Sequence, residues 1–197
     1  MKLKLIIQIL LGVAVLALIY FIYTGIMAPV KFNNEMNSRK QIVIQKMKDI
    51  RTIQSMYLSM NGRYCSTFDS LITFVKEGKM PIVKLTARPG DSTFTDPIRD
   101  TVGFVSISDS LFSKRTDFNL ETIARIPFSN SDNSEYQNFE MKVAVINRGN
   151  VPVNVIEVFA ANKFYLRGLD LNKFNVDPED GLRFGSMTEP TTDGNWE

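Results

Sequence analysis

The chain has no histidine and only one cysteine, Cys65, among its 197 residues. Without histidine no Ser-His-Asp or Cys-His catalytic site can form, and the commonest general base and metal ligand is missing. One cysteine forms no intramolecular disulfide and supplies too few thiolates for a zinc or iron–sulfur site. We therefore expect a protein that is not an enzyme, holds no cofactor and no metal, and acts on no small-molecule substrate.

Charged residues are missing from one long stretch of the chain. Residues 5–28 form an apolar run without one charged side chain. At ~1.5 Å per residue a helix of this length spans about 36 Å, enough to cross the ~30 Å hydrocarbon layer of a bilayer. A secretory signal peptide, the main alternative, has an apolar region of only ~7–15 residues. Residues 1–28 are therefore predicted to be an uncleaved transmembrane anchor, with membrane lipid as its partner.

Basic residues flank this run on both sides. Lys2 and Lys4 precede it, and three basic residues follow it within positions 31–40. A short basic tail favours a cytoplasmic N-terminus, and Tyr20 and Tyr23 fit the opposite membrane interface. We expect a single-pass protein of the bacterial inner (cytoplasmic) membrane, with its C-terminal domain periplasmic or extracellular.

Charge is unevenly distributed in the rest of the chain. Residues 29–64 hold seven Lys/Arg against two Asp/Glu, whereas residues 170–197 hold two Lys/Arg against seven Asp/Glu. The basic stretch suits anionic lipid headgroups, or the acidic tail of a neighbouring copy. A solvated helix and a solvated acidic loop are the alternative. The basic stretch lacks interleaved aromatic residues that stack on bases, so nucleic-acid binding is not expected.

Residues 29–62 predict an amphipathic helical stem that follows Pro29 and stops at Asn61-Gly62. Apolar side chains recur at heptad spacing, which indicates either a coiled coil with a partner or a helix packed on its own domain. In the anchor, Gln8 and Gly12 lie four residues apart on one helix face and are the candidates for anchor packing. The candidate interface positions on the stem are Val43, Ile50, Ile53, Tyr57 and Met60.

Beyond the stem, residues 63–81 predict a short helix from Phe68 to Lys76, capped by Ser66 or Thr67. Residues 177–197 predict an acidic tail, mostly loop, in which Trp196 packs back on the domain or contacts a partner. Residues 82–176 predict an antiparallel β domain with strands at 82–86, 102–107, 118–126, 139–146, 151–159 and 164–171, a loop at 88–100 and a turn at 129–134.

This order of elements resembles the type IV pilins and the pseudopilins of type II secretion. Residues 49–57 (D-I-R-T-I-Q-S-M-Y), then 61–64 (N-G-R-Y) and Gly78-x-x-Pro81, are similar to the pseudopilin segment in which the long helix ends. The C-terminal half resembles single-anchor envelope proteins of bacteria. The resemblance implies a pilin-like α+β fold: a transmembrane helix continuing into a long amphipathic helix, a short second helix and an antiparallel β domain.

Two functions from different classes fit these features. The first is a membrane-anchored, pilin-like structural or interaction subunit of a bacterial cell-envelope assembly, whose partners are other copies of the chain or other envelope proteins. The alternative is a solitary membrane-anchored extracytoplasmic module that binds or senses a ligand through a pocket in the β domain.

Overall fold

The computed structural model, which describes residues 2–87 and 98–197, is dominated by one helix. This helix, α1, runs without interruption from Lys2 to Asn61 and passes through Pro29. A proline costs a helix one hydrogen bond, to the carbonyl four residues earlier, and here the flanking turns remain helical. The N-terminal part of α1 has a mean hydropathy of 2.6 and is not buried, so α1 is long and apolar enough to span a membrane.

The other elements fold around the second half of α1. In chain order they are α2 (Phe68–Glu77), β1 (Lys79–Thr86), β2 (Ile98–Ser106), α3 (Ile107–Phe112), a 3₁₀ turn (Leu120–Thr122), β3 (Glu140–Arg148), β4 (Val151–Ala161), α4 (Asn162–Tyr165) and β5 (Gly181–Gly185). Strands β1 and β2 form one antiparallel sheet, and β3, β4 and β5 form a second antiparallel sheet in that order, which confirms the α+β class.

The hydrophobic core lies where one face of α1 packs on the three-stranded sheet, α2 and α3. α1 contributes Val43, Met47, Ile50 and Ile53, all fully buried and three or four residues apart. Burial of each such side chain contributes about 1.5–3 kcal/mol, so this stripe fastens the helix to its own domain. The facing core residues include Leu71, Val75, Ile107, Ile156, Val158 and Phe184.

The ends of the first two helices confirm the expected turn chemistry. Gly62 follows the end of α1 with a φ of +70°, a conformation that glycine adopts without strain. Thr67 caps α2, because its side chain accepts a hydrogen bond from the Ser70 backbone N–H. The cap backbone of Gly78 then donates to Phe74 and ends the helix.

The prediction of a strand at 118–126 is wrong. Asn119 accepts a hydrogen bond from the Glu121 N–H at 3.0 Å and caps the 3₁₀ turn instead. Ile123 and Ile126, both buried, are three residues apart, which is the spacing of a helical turn and not of a strand. In the sequence, polar residues between the apolar ones give an alternation that is also typical of a strand.

The prediction of a strand at 164–171 is also wrong. Tyr165 and Leu166 are consecutive and both fully buried, whereas consecutive strand residues point to opposite faces. The Asn162 side chain donates to the Asp177 carbonyl at 2.7 Å and accepts from the Tyr165 hydroxyl, which tightens the chain into α4. Gly168, with a φ of +85°, then turns it again.

The tail at 177–197 was expected to be mostly loop, yet it contains β5, a strand of the main sheet. Leu182 and Phe184 alternate into the core, and Phe184 is fully buried. Gly181 allows close approach, because a Cβ there would lie 2.0 Å from the Ala160 carbonyl oxygen. A five-residue strand between acidic loops has too little pattern to be recognised in the sequence.

The strands expected at 82–86, 139–146 and 151–159 are confirmed and are longer than expected. The strand expected at 102–107 begins earlier, at Ile98, so it includes the last residues of the loop expected at 88–100. The rest of that loop, through residue 97, lies outside the described residues. A short helix, α3, occupies 107–112 and was not expected.

Candidate functional site: the anchor segment and the stem groove

The anchor segment, residues 5–28, presents exposed apolar side chains from Ile6 onward in every direction around α1. Their exposed fractions reach 69% at Leu10 and Phe21. Gln8 is exposed, and a Cβ added to Gly12 would meet nothing within 4 Å. The described part of the chain therefore places Gln8 and Gly12 on an uncovered helix face, and their role in anchor packing stays a prediction.

The five stem candidates divide into two groups. Val43, Ile50 and Ile53 are fully buried against the chain's own domain, so in this fold they are not accessible to a partner. Tyr57 is partly buried and packs edge-to-face on Phe74, with ring centroids 4.8 Å apart. Met60 is 41% exposed and remains available at the surface. The heptad pattern thus describes a helix laid on its own sheet, the second of the two interpretations.

Trp196 packs against the edge of the core. Its indole nitrogen is buried and has no hydrogen-bond partner among the residues that the structure describes. Glu197 beside it forms an ion pair with Arg51, at 2.8 Å, and Gly194 forms an isolated bridge with Phe184. These contacts hold the tail on the domain, so Trp196 packs within the chain, and its contact with a partner stays a prediction.

Three basic residues of the stem likewise donate hydrogen bonds to the chain's own domain. Arg39 donates to the Arg167 carbonyl at 2.8 Å, Lys46 to the Arg125 carbonyl at 2.8 Å, and Arg51 to the Thr192 carbonyl at 3.0 Å. Hydrogen bonds from charged donors are stronger than neutral ones. The domain therefore binds the helix through a polar margin as well as through the apolar stripe.

A groove of about 570 Å³, the stem groove, runs between α1 and the segment after α3. α1 contributes Gln45, Lys46 and Asp49, and the facing wall contains Arg115 and Asp117. The aromatic ring of Phe118 also lines it and stacks on Phe112, with ring centroids 3.5 Å apart. Both charge signs therefore line a partly apolar groove.

Asp49 is a buried carboxylate in the lining of this groove, with 7% of its surface exposed. Its carboxylate pairs with Arg115 and accepts a hydrogen bond from Gln45 at 3.1 Å. Burial raises the pKa of Asp49, and Arg115 opposes that rise. Arg115 also pairs with Asp117, which lowers the pKa of that exposed carboxyl. One guanidinium thus bridges a buried and an exposed carboxylate.

Lys46 is the other perturbed group of the stem groove. Its pKa is lowered to about 8, mainly by burial and secondly by the charge of Arg125, while Asp49 partly opposes the shift. A lysine with this pKa is about one-tenth neutral at pH 7 and about half neutral at pH 8, and the neutral amine is the nucleophilic form. The sequence pattern does not single out Lys46, Asp49 or Arg115 as site residues; its only signal is the acidic Asp49 between Met47 and Ile50 on the apolar stripe.

The hairpin β1–β2 is the second apolar surface. Its strands pair only with each other among the described residues. An isolated two-stranded hairpin is marginally stable in water, and exposed strand edges invite pairing with another chain. Six apolar residues on it are 42–67% exposed: Ile82, Val83, Leu85, Ile98, Val102 and Phe104.

Comparison of the chain with protein-family models, with curated proteins and with solved structures finds no match.

Proposed function

We propose that the chain is a membrane-anchored, pilin-like structural or interaction subunit of a bacterial cell-envelope assembly. The observation that carries this proposal is the division of α1 into two halves. The second half is covered by the chain's own domain, whereas the apolar side chains of the first half are covered by nothing in the described chain. A helix uncovered and apolar on all sides is suited to lipid or to other helices.

In this proposal the anchor segment crosses the inner membrane with its N-terminus in the cytoplasm, and the domain stands in the periplasm or outside the cell. The exposed hairpin β1–β2 supports an interaction role, because its apolar side chains are 42–67% exposed and unpaired strand edges invite pairing with another chain. Its partner is another copy of the chain or another envelope protein. Gln8 and Gly12 are proposed to pack anchor against anchor.

Membrane insertion is tested with the full-length protein expressed in a bacterium. Carbonate-washed membranes should retain the protein, and protease added outside intact spheroplasts should digest the domain. A variant with Leu11→Lys and Leu16→Lys should leave the membrane fraction, because each charge near the centre of a spanning helix costs about 2.5–3.5 kcal/mol. Wild-type protein that washes off with carbonate would contradict the anchor.

Assembly is tested by in-cell photo-crosslinking from exposed positions. The crosslinking residue replaces Phe104 on the hairpin or Gly12 in the anchor, and Lys48 on the exposed side of α1 serves as the matched control. A ladder of self-adducts from 104 or 12 would support a polymer, and one foreign band would support a mixed complex. Absence of adducts from both positions would contradict the assembly role. Position 50 is unsuitable, because Ile50 is fully buried in the domain.

The stem groove favours the alternative, a solitary module that binds a ligand. Its volume of about 570 Å³ and its mixture of apolar and charged walls are those of a small-molecule site. The groove lies between α1 and the segment after α3, not within the β sheet. A thermal-shift panel of sugars, lipids and peptides tests this function: a ligand that raises the Tm of wild type but not of Lys46→Gln would favour it over assembly.

A further inference from the structure

A tight turn at residues 171–176 lies against α1 at the end of the anchor segment. The ring of Phe174 stacks on that of Phe32, with centroids 4.2 Å apart and planes 19° apart, and only 7% of Phe32 is exposed. The turn is held by its own backbone, since the N–H groups of Phe174 and Val176 both donate to the Leu171 carbonyl. The turn therefore has a defined position on the helix.

Between this turn and the helix runs an open groove of about 550 Å³, the membrane-surface groove. The helix residues recur at intervals of three and four and so share one face. Gly25 and Ala28 form a floor of small side chains, while the Thr24 hydroxyl donates to backbone carbonyls of its own helix. The floor is consequently apolar. The full lining is Phe21, Thr24, Gly25, Ala28, Pro29, Lys173 and Phe174.

The level of this groove relative to a bilayer follows from the length of the apolar run. About 20 helical residues cross the hydrocarbon layer, so a helix that enters near residue 5 reaches the opposite headgroups around residues 24–29. Lys173 is exposed at this level, and its ammonium lies 5.7 Å from the ring centroid of Phe174. Lys31, also exposed, adds a second cation one turn beyond Ala28. The Asp170 carboxylate accepts the backbone N–H of Lys173 at 3.1 Å.

We propose that the membrane-surface groove binds one anionic phospholipid of the surrounding bilayer. The phosphate accepts hydrogen bonds from the Lys173 ammonium, and the upper acyl chain lies along Phe21, Gly25 and Ala28. Charge complementarity and the apolar floor together select this occupant. A free anion would pair with the Lys173 ammonium but would leave the apolar floor uncovered, and an apolar peptide would cover the floor but would leave the ammonium unpaired. The inference rests on the proposed anchor, and it sets the height at which the domain stands on the membrane.

The position of the turn is tested with the full chain in vesicles of phosphatidylcholine and phosphatidylglycerol. In a Cys65→Ala background, Asn172→Cys places a fluorophore on the turn, and Lys48→Cys places one roughly 30 Å further along α1 from Ala28. Nitroxide on the lipid headgroup should quench the probe at 172, whereas aqueous iodide should quench the probe at 48. Iodide quenching of both probes, with headgroup nitroxide quenching neither, would overturn the proposal.

The choice of lipid is tested by counting the phospholipid that copurifies with the full chain in mild detergent. Lys173→Gln should lower the phosphatidylglycerol-to-phosphatidylcholine ratio about fivefold, the equivalent of about 1 kcal/mol per basic residue at a membrane surface. The matched variant Lys48→Gln should leave the ratio unchanged. Equal ratios in wild type and Lys173→Gln would overturn the proposal.

Flotation of the same vesicles separates this inference from the proposed function. Protein that floats with the vesicles but shows neither headgroup quenching at 172 nor an effect of Lys173→Gln overturns the lipid site and leaves the anchor intact. Wild-type protein that does not float overturns the anchor, and the lipid site with it.

Discussion

The side-chain amide of Gln54 pairs with the backbone of Cys65 in both directions. Its nitrogen donates to the Cys65 carbonyl, its oxygen accepts from the Cys65 N–H, and both distances are 2.9 Å. Gln54 is 1% exposed and lies on α1, whereas Cys65 lies beyond the end of that helix. One amide therefore satisfies two buried backbone groups and fastens the chain leaving α1 to the core.

Gln54→Ala should destabilise the domain by about 3 kcal/mol, because it leaves a buried donor and a buried acceptor unsatisfied at about 1–3 kcal/mol each. Gln41→Ala, at an exposed position on the same helix, should change stability by less than about 0.5 kcal/mol. Urea unfolding followed by the fluorescence of Trp196, the only tryptophan, measures both. Equal stabilities would show that the pairing contributes nothing.

Ile50→Ala should cost about 2–5 kcal/mol, because it empties a fully buried site in the core. Met60→Ala should cost less than about 1 kcal/mol, since Met60 is 41% exposed. The comparison separates positions that hold the domain on α1 from one that is free for a partner. If Met60→Ala reduces crosslinked assembly without changing the urea midpoint, Met60 is an interface residue.

Arg115→Met should destabilise the protein more at pH 8 than at pH 5. Burial already raises the pKa of Asp49 above its ordinary value of 3.8, and loss of Arg115 removes the charge that opposes this rise. A carboxyl with a raised pKa binds its proton more tightly in the folded state, so its contribution to stability is present below the unfolded pKa and falls as pH increases. Unfolding curves at the two pH values test this, with Lys114→Met as control.

Lys46 should be acylated faster than Lys48 at pH 8 by at least about tenfold. With a pKa of about 8, roughly half of its amine is neutral and nucleophilic, although partial burial reduces access. The lowered pKa also makes stability depend on pH, because folding disfavours the charged form of Lys46. The folded state is therefore relatively most stable above the unfolded pKa of 10.5, and it loses that stability as pH falls through 8. Peptide mapping after limiting acetic anhydride measures the rates; equal rates would contradict the lowered pKa.

Trp196→Phe should leave the domain as stable as wild type or slightly more stable. It keeps most of the packed ring and removes an indole N–H that is buried and, within residues 2–87 and 98–197, has no partner. Trp196→Ala should cost about 3 kcal/mol, the low end for loss of a packed tryptophan ring, because Trp196 is only partly buried. Circular dichroism follows thermal unfolding without need of the tryptophan. A large loss in the Phe variant would indicate that the N–H does have a partner.

The sequence pattern alone predicted the structure wherever neighbouring residues determine the local conformation. The apolar run at 5–28, the stop at Asn61-Gly62 and the capped helix after Thr67 follow from composition, backbone freedom and capping, all of which act within a few residues. The hairpin of β3 and β4 belongs to this group, because alternation and the turn at Gly149-Asn150 lie next to each other in the sequence.

Only the tertiary structure decided which partner covers the stem and how the tail folds. The heptad spacing is the same for a coiled coil and for a helix on a sheet, and the sheet itself placed Val43, Ile50 and Ile53 inside the domain. The pairing of Gln54 with Cys65, the bridge from Arg115 to Asp49, and the joining of β5 to β4 connect residues that are far apart in sequence or have no repeating pattern. Such contacts arise from packing in three dimensions, which a one-dimensional period does not encode.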